Sequence, residues 1–348
     1  MSNKSAETAT TIKQARFNLK NLTRRPETGA LAGTVIVYIF FAIFGGSQFL
    51  EPGGTSAWLN TAAELAIVAL PVGLLMISGE FDLSVGSVVA ASSVTFALIS
   101  GQWGMPTYVG MAAALGLGLL TGFINGLSVT RTKVPSFIVT LAMQFGLAGL
   151  TLGLARVFTG TTSITIEADP FTTNLFGGFF LLDQFENAIF WALGIAILVA
   201  WILQMSKYGN WIFALGGDTQ SARAAGIPVE KTKIALFMST GFGAALVGVI
   251  QTMLYNGAQT GAGQSFVFNS VIAVVIGGVL LNGGYGSVVG IILGTFTFAI
   301  VNQGIYYTGW NSDWAGLILG ILLFAAVIGN NTFRRLALGT GANKKQGS

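Results

Sequence analysis

Long stretches of this 348-residue chain carry no charged side chain, and its basic residues gather in only some of the gaps between them. A helix that crosses a bilayer needs about 20 predominantly apolar residues. Uncharged or nearly uncharged runs of that length occur at 28–50, 58–78 (broken only by Glu64), 134–155 and 187–206. The run 83–130 is too long for one helix and divides at the turn signal Gly101-Gln102-Trp103-Gly104-Met105-Pro106. The run 234–312 breaks at two polar, Gly-rich places, 255–264 and 282–286, which predicts three spans, and 314–333 closes the set. The expectation is an all-α, polytopic integral membrane protein of about ten transmembrane helices.

With ten spans the charges sort by side. Lys4, Lys13, Arg16, Lys20, Arg24 and Arg25 precede the first span; Arg131 and Lys133 lie between the fourth and fifth. Lys207, Arg223, Lys231 and Lys233 lie between the sixth and seventh, and Arg334, Arg335, Lys344 and Lys345 follow the last. All fall on one side. Arg156 is the exception among basic residues, and the opposite side receives Glu51, Glu167, Asp169, Asp183, Glu186 and Asp313. Basic loops stay in the cytoplasm, so the chain is expected to run N-in, C-in. The expected layout is a cytoplasmic tail at 1–27, a transmembrane permease domain at 28–333 and a cytoplasmic tail at 334–348. An outer loop at about 157–186 and an inner loop at about 207–233 are both longer than a helix hairpin needs.

Composition agrees: 53% of residues are hydrophobic and 9% charged, with a mean hydropathy of +0.72. Soluble domains are about one quarter charged. The net charge of +4 resides in loops and tails, as membrane topology predicts, rather than in a nucleic-acid-binding patch. Residues 1–25 contain no apolar core of a cleavable signal peptide. There is no Cys and no His, which removes disulfides and the commonest metal ligands and acid–base groups. No Gly-x-x-x-x-Gly-Lys-Ser/Thr phosphate loop occurs, so ATP is not held that way.

Two segments stand out. Ser78-Gly79-Glu80-Phe81-Asp82-Leu83-Ser84 places two carboxylates between apolar helices. Charges at membrane depth are costly and face protein or water, so Glu80 and Asp82 are candidates for a polar gate or a solute-contacting break. The other reading, preferred for Asp82, is a helix start with Asp82 or Ser84 as the cap. In the inner loop, 219–225 reads as a short helix after Gly216-Gly217-Asp218, capped by Asp218 or Thr219 and stopped by Gly226 with Pro228 beyond. Such a helix across the cytoplasmic face is either a lever or an ordinary loop helix. A weak internal echo pairs Gly86-Ser87-Val88-Val89 with Gly286-Ser287-Val288-Val289.

Four motifs, in order, resemble the permease subunits of bacterial ABC importers for monosaccharides, the ribose and xylose type. They are Asp82-Leu83-Ser84-Val85-Gly86-Ser87; Pro135-Ser136-Phe137-Ile138-Val139-Thr140-Leu141; Ala222-Arg223-Ala224-Ala225-Gly226-Ile227; and Ala273-Val274-Val275-Ile276-Gly277-Gly278 with Gly283, Gly284 and Gly286. The likeness runs from about the second span to the C-terminus. It implies coupling to an ATPase through Asp218, Ala222, Arg223, Ala225, Gly226 and Ile227. It also implies a cytoplasmic ABC ATPase subunit that uses ATP and Mg, a periplasmic sugar-binding protein and a second permease copy. The chain itself would bind no cofactor and no metal, catalyse nothing and reside in the bacterial inner membrane. The departures bear on substrate identity rather than on transport. Ser78-Gly79-Glu80-Phe81 stands where the family often has Gly-Gly-Ile; Phe268-Asn269-Ser270 stands where it has an acidic residue; and Val301-Asn302-Gln303-Gly304-Ile305 replaces an Asn-Asn-Gly-Leu.

The expected function is therefore import of a sugar or polyol, with energy from a separate subunit. Uncharged amides suit hydroxyl groups because they both donate and accept. Path candidates are Asn125, Gln144, Asn269, Asn282, Asn302 and Gln303, together with Glu80 and Asp82; for each amide the alternative is helix–helix bonding inside the bundle. Two rivals remain at this point. A proton-coupled secondary transporter would use Glu64, Glu80 or Asp82. A membrane-embedded enzyme would need clustered ionisable groups at matched depth.

Overall fold

The computed structural model describes residues 26–325. The expected tails, with their ten basic residues, lie outside the described residues save for Pro26 and Glu27, as does the end of the final span. The helices are α1 (Pro26–Phe44), α2 (Gly46–Leu50), α3 (Pro52–Ile77), α4 (Val85–Phe96), α5 (Thr107–Thr132), α6 (Ser136–Thr159) and α7 (Pro170–Gly177). They continue with α8 (Ala188–Met205), α9 (Lys207–Gly217), α10 (Thr219–Ala224), α11 (Val229–Leu254), α12 (Phe266–Ile276), α13 (Val288–Gly304) and α14 (Trp314–Ala325). α4 widens into a π-helical turn, Ala97–Gln102, at the expected division of the long run. Short strands tie one end together: β1 (Ser163–Thr165) pairs antiparallel with β4 (Gly257–Gln259), and β2 (Phe179–Leu181) with β3 (Phe185–Glu186).

Among the described residues eight helices are long and apolar enough to cross a membrane, while α12 and α14 are shorter. The middle of the three spans expected in 234–312 is thus α12, with 11 residues. At 1.5 Å per residue it rises about 16 Å, half of a hydrocarbon core of about 30 Å. The loop before it supplies the rest of the crossing.

α3 forms the centre, with 89% of its most apolar window buried, against 17% for α1 and for α6. Around α3 stand α8, α11, α12 and α13, and the outer helices show large apolar residues such as Ile36, Phe145 and Met205 on their surfaces. That surface suits lipid or another membrane subunit. α5 packs on α11 through Gly118, Gly122 and Gly126, one per turn. A Cβ at Gly118 would stand 2.4 Å from the Gly241 carbonyl, and one at Gly122 would stand 2.2 Å from the Phe237 carbonyl. Backbones approach this closely only where side chains are absent. Pro71 in α3 lacks the N–H that Ile67 O would otherwise receive, and that carbonyl faces Gly243 of α11.

Helix direction segregates the charges as the sequence predicts. Arg131, Lys133, Lys207, Arg223, Lys231 and Lys233 lie at one end of the bundle, here the basic end. Glu51, Glu167, Asp169, Asp183, Glu186, Asp313 and Arg156 lie at the other. The sequence echo is not a structural one in detail. Ser287 caps α13, accepting from Gly290 N, whereas Ser87 is the third residue of α4.

Candidate translocation and coupling sites

The α3–α4 loop is held from the side by α6. Ser136, Thr140 and Gln144 recur every four residues and so share one face of that helix. Phe81 N donates to Ser136 Oγ (3.0 Å), Leu83 N to Thr140 Oγ1 (3.0 Å) and Ser87 N to Gln144 Oε1 (2.8 Å). The expectation that Asp82 or Ser84 caps α4 is corrected by this arrangement. Ser84 occupies the N-cap position but makes no side-chain cap bond, and the orphan amide of the first turn is satisfied by Gln144.

Asp82 is buried and fully engaged. Its Oδ1 accepts from Ser84 N (2.9 Å) and Ser84 Oγ (2.6 Å), and its Oδ2 accepts from Thr240 Oγ1 (2.5 Å) on α11. Asn125 of α5 is buried too and donates to Ser84 Oγ (2.8 Å). Asp82 and Asn125 therefore join α3, α4, α5 and α11 in one polar knot. Neither faces open space.

Gln144 has a second bond. Its Nε2 donates to Gln264 Oε1 (2.8 Å), in the non-helical stretch between β4 and α12. Gly263 abuts Gly86 there: a Cβ on Gly263 would stand 2.6 Å from Gly86 O. The break in the α12 span is thus anchored beside the first turn of α4, with Gly261, Gln264 and Ser265 exposed and Asn269 half-buried one turn on. Of the amide candidates, Gln144 and Asn269 lie by this break. Asn282 is exposed in the α12–α13 loop at the basic end. Asn302 and Gln303 bond each other near the far end of α13. The structure does not bring these three to the same place.

At the basic end, α10 forms as the sequence predicts. Asp218 caps it, accepting from Ser221 N (2.7 Å), and the Ser221 hydrogen bonds hold its carboxyl below the usual range. Gly226 ends the turn with φ of +82°, a left-handed conformation that favours glycine. Ala222 is buried against Leu215 and Val229, with Ile227 packed alongside, whereas Arg223, Ala225 and Gly226 are exposed. Arg223 pairs with Glu230 at 2.6 Å, an exposed contact. The preceding segment is a helix, α9, rather than a loop, and its end meets the bundle backbone to backbone. A Cβ at Gly216 would fall 1.9 Å from Ile77 O and 2.3 Å from Gly284 N, and Gly284 N itself donates to Ile77 O (2.8 Å). Glu80, read from sequence as a gate residue, pairs with Lys233 in the second turn of α11.

Glu64 is buried in α3 and accepts from Gln251 Nε2 (2.8 Å). Near it, Glu186 N donates to Asn60 Oδ1 (3.0 Å), one turn before Glu64. Burial and the Glu64 charge push the Glu186 carboxyl up to about 7. Arg156 is exposed at the opposite end of α6, and no ion pair to the outer-loop carboxylates forms among the described residues.

Sequence reasoning missed Ser136, Thr140, Thr240 and Gln264. The four-residue spacing of Ser136, Thr140 and Gln144 was available as a signal. Thr240 and Gln264 gave none, because their partners lie 158 and 120 residues away.

Residues 54–327 match the family described as the branched-chain amino acid transport system / permease component. The ribose import permease protein RbsC of Escherichia coli K12 is 36% identical over 231 residues, 66% of this chain and 70% of that protein. The fructose import permease protein FrcC of Rhizobium meliloti is 31% identical, covering 77% and 75%. The xylose transport system permease protein XylH of Haemophilus influenzae is 28% identical, covering 76% and 85%.

Proposed function

The chain belongs to the branched-chain amino acid transport system / permease component family, and from that premise we propose that it carries a monosaccharide across the bacterial inner membrane, with ATP hydrolysed by a separate subunit. The relatives named for ribose, fructose and xylose support a sugar over an amino acid. A permease component also accounts for a chain without a phosphate loop and supports ATP-driven transport over the proton-coupled alternative.

The observation that carries the path is the break before α12. Non-helical backbone at membrane depth is tolerated only where protein buries it or water lines it. Here the exposed Gln264 presents its amide at that break, held in place by the buried Gln144, and amides match sugar hydroxyls in donating and accepting. The path runs past Gln264 and Asn269, with Gln144 holding Gln264 from behind. Asp82 and Asn125 serve as its internal framework, each engaged with other parts of the bundle.

The basic end faces the cytoplasm in this reading, and the charge segregation supports it. The exposed side of α10, with Arg223, Ala225 and Gly226, meets the ATPase, which brings ATP and Mg. The opposite end receives a periplasmic binding protein. A second permease copy completes the path, covering the exposed face of α6, where Gly146, Gly149 and Gly153 are open to within 4 Å.

The test is reconstitution with the ATPase and binding-protein partners in proteoliposomes, with ribose, fructose, xylose and leucine as labelled solutes. Uptake of one of the sugars, dependent on ATP and indifferent to a protonophore, is expected. Uptake of leucine alone, or uptake without ATP that a protonophore abolishes, overturns the proposal.

A further inference from the structure

Glu80 is a carboxylate in the short loop between the apolar helices α3 and α4, and its side chain has one partner, Lys233. Two ion pairs occur among the described residues. Arg223–Glu230 is exposed and internal to the α10–α11 corner, with side-chain exposures of 64% and 51%. Glu80–Lys233 is shielded, at 13% and 14%, and joins that corner to the α3–α4 loop. Exposed pairs contribute little. Removing one partner of a shielded pair leaves an uncompensated charge and is strongly unfavourable.

Both ends of the Glu80–Lys233 pair are firmly mounted. Lys233 lies one turn beyond Val229, which packs with Leu215 and Ala222, so the first turns of α11 move with α10. Glu80 precedes Phe81, Asp82 and Leu83, which are bonded to Ser136, Thr240 and Thr140. Through the same loop the contact reaches Ser87, Gln144 and Gln264 beside the break.

We propose that Glu80 and Lys233 are positioning residues for transport: their ion pair transmits displacement of α10 to the α3–α4 loop and so to the path. This rests on α10 being the ATPase contact. The pair accounts for an acidic residue in a loop whose neighbours are otherwise held by hydroxyls and an amide.

The experiment uses the complete complex in proteoliposomes and reads solute taken up per ATP hydrolysed. Glu80→Gln and Lys233→Met are each expected to lower that ratio at least fivefold while ATP hydrolysis stays within twofold of the parent. The exchange Glu80→Lys with Lys233→Glu is expected to restore at least half of the ratio. Glu80→Gln combined with Lys233→Met removes both charges and leaves no unpaired one, so it keeps the proposal testable if the single variants fold poorly. It is expected to remain uncoupled; a parental ratio in this double variant, or in either well-folded single variant, overturns the proposal. So does an exchange variant no better coupled than the singles. Arg223→Glu in the same assay tests the premise. If it leaves the ratio unchanged, the assignment of α10 to the ATPase fails; if it uncouples while the double variant does not, only the ion-pair proposal fails.

Discussion

Gln144 Oε1 lies 2.8 Å from the backbone nitrogen of Ser87, so the start of α4 is capped by a side chain from α6 rather than by its own sequence. Gln144→Ala strands a buried amide, which costs about 1–3 kcal/mol. A lowered thermal midpoint in detergent is expected. Gln144→Glu keeps the acceptor and is expected to recover most of that stability, while losing the donor to Gln264. Equal loss in both variants would count against the cap.

Asp82 accepts three hydrogen bonds. In Asp82→Asn the remaining oxygen still serves Ser84, and the Thr240 hydroxyl turns to accept from the new amide, keeping its contact with Phe237 O. A cost near 1 kcal/mol is expected, with most uptake retained. Asp82→Ala leaves Ser84 N unpaired and is expected to cost about 2–3 kcal/mol. Complete loss of uptake in a stable Asp82→Asn protein would return Asp82 to a direct role in the path.

Glycines at backbone contacts and glycines on open faces are expected to behave oppositely. Gly216→Ala places a Cβ 1.9 Å from Ile77 O, and Gly122→Ala places one 2.2 Å from Phe237 O, so both are expected to fail to accumulate as folded protein. Gly149→Ala meets nothing within 4 Å and is expected to fold normally. If a second copy covers that face, Gly149→Leu will weaken the dimer in native mass spectrometry without lowering monomer stability.

The Glu186 carboxyl is pushed from 4.5 to about 7, first by burial and then by the Glu64 charge. The folded protein therefore holds this proton more tightly than the unfolded chain does. The stability it contributes is present in full below about pH 4.5 and is lost as the pH rises through about 7. Thermal midpoints are expected to fall between pH 5 and 8 in the parent and to fall less in Glu186→Gln. Parallel curves would rule out this titration.

The absence of cysteine makes topology directly measurable. Ser163→Cys and Gln220→Cys place single thiols at exposed positions at opposite ends of the bundle. An impermeant maleimide on whole cells is expected to label the first at once and the second only after permeabilisation. The reverse pattern would invert the orientation.

The helices were legible because charge and hydropathy mark membrane spans directly, and α10 because Asp218 and Gly226 punctuate it at both ends. α12 was not legible as a half-length element. The polar break at 255–264 is visible in sequence, but the depth to which it reaches depends on Gly263 meeting Gly86. The role of Gln144 was hidden for a similar reason: its partners, Ser87 and Gln264, belong to other elements. The meeting of Gly216 with Ile77 and Gly284 involves no side chain at all, so residue chemistry could not announce it.

The glycine seam between α5 and α11 limits what any conformational cycle can move. With Gly118 and Gly241 in mutual backbone contact, neither helix can slide or roll on the other without main-chain collision. The two form a single strut. Rearrangement therefore has to occur at looser joints, such as that between this spine and the sparsely covered α6, whose most apolar window is 17% buried.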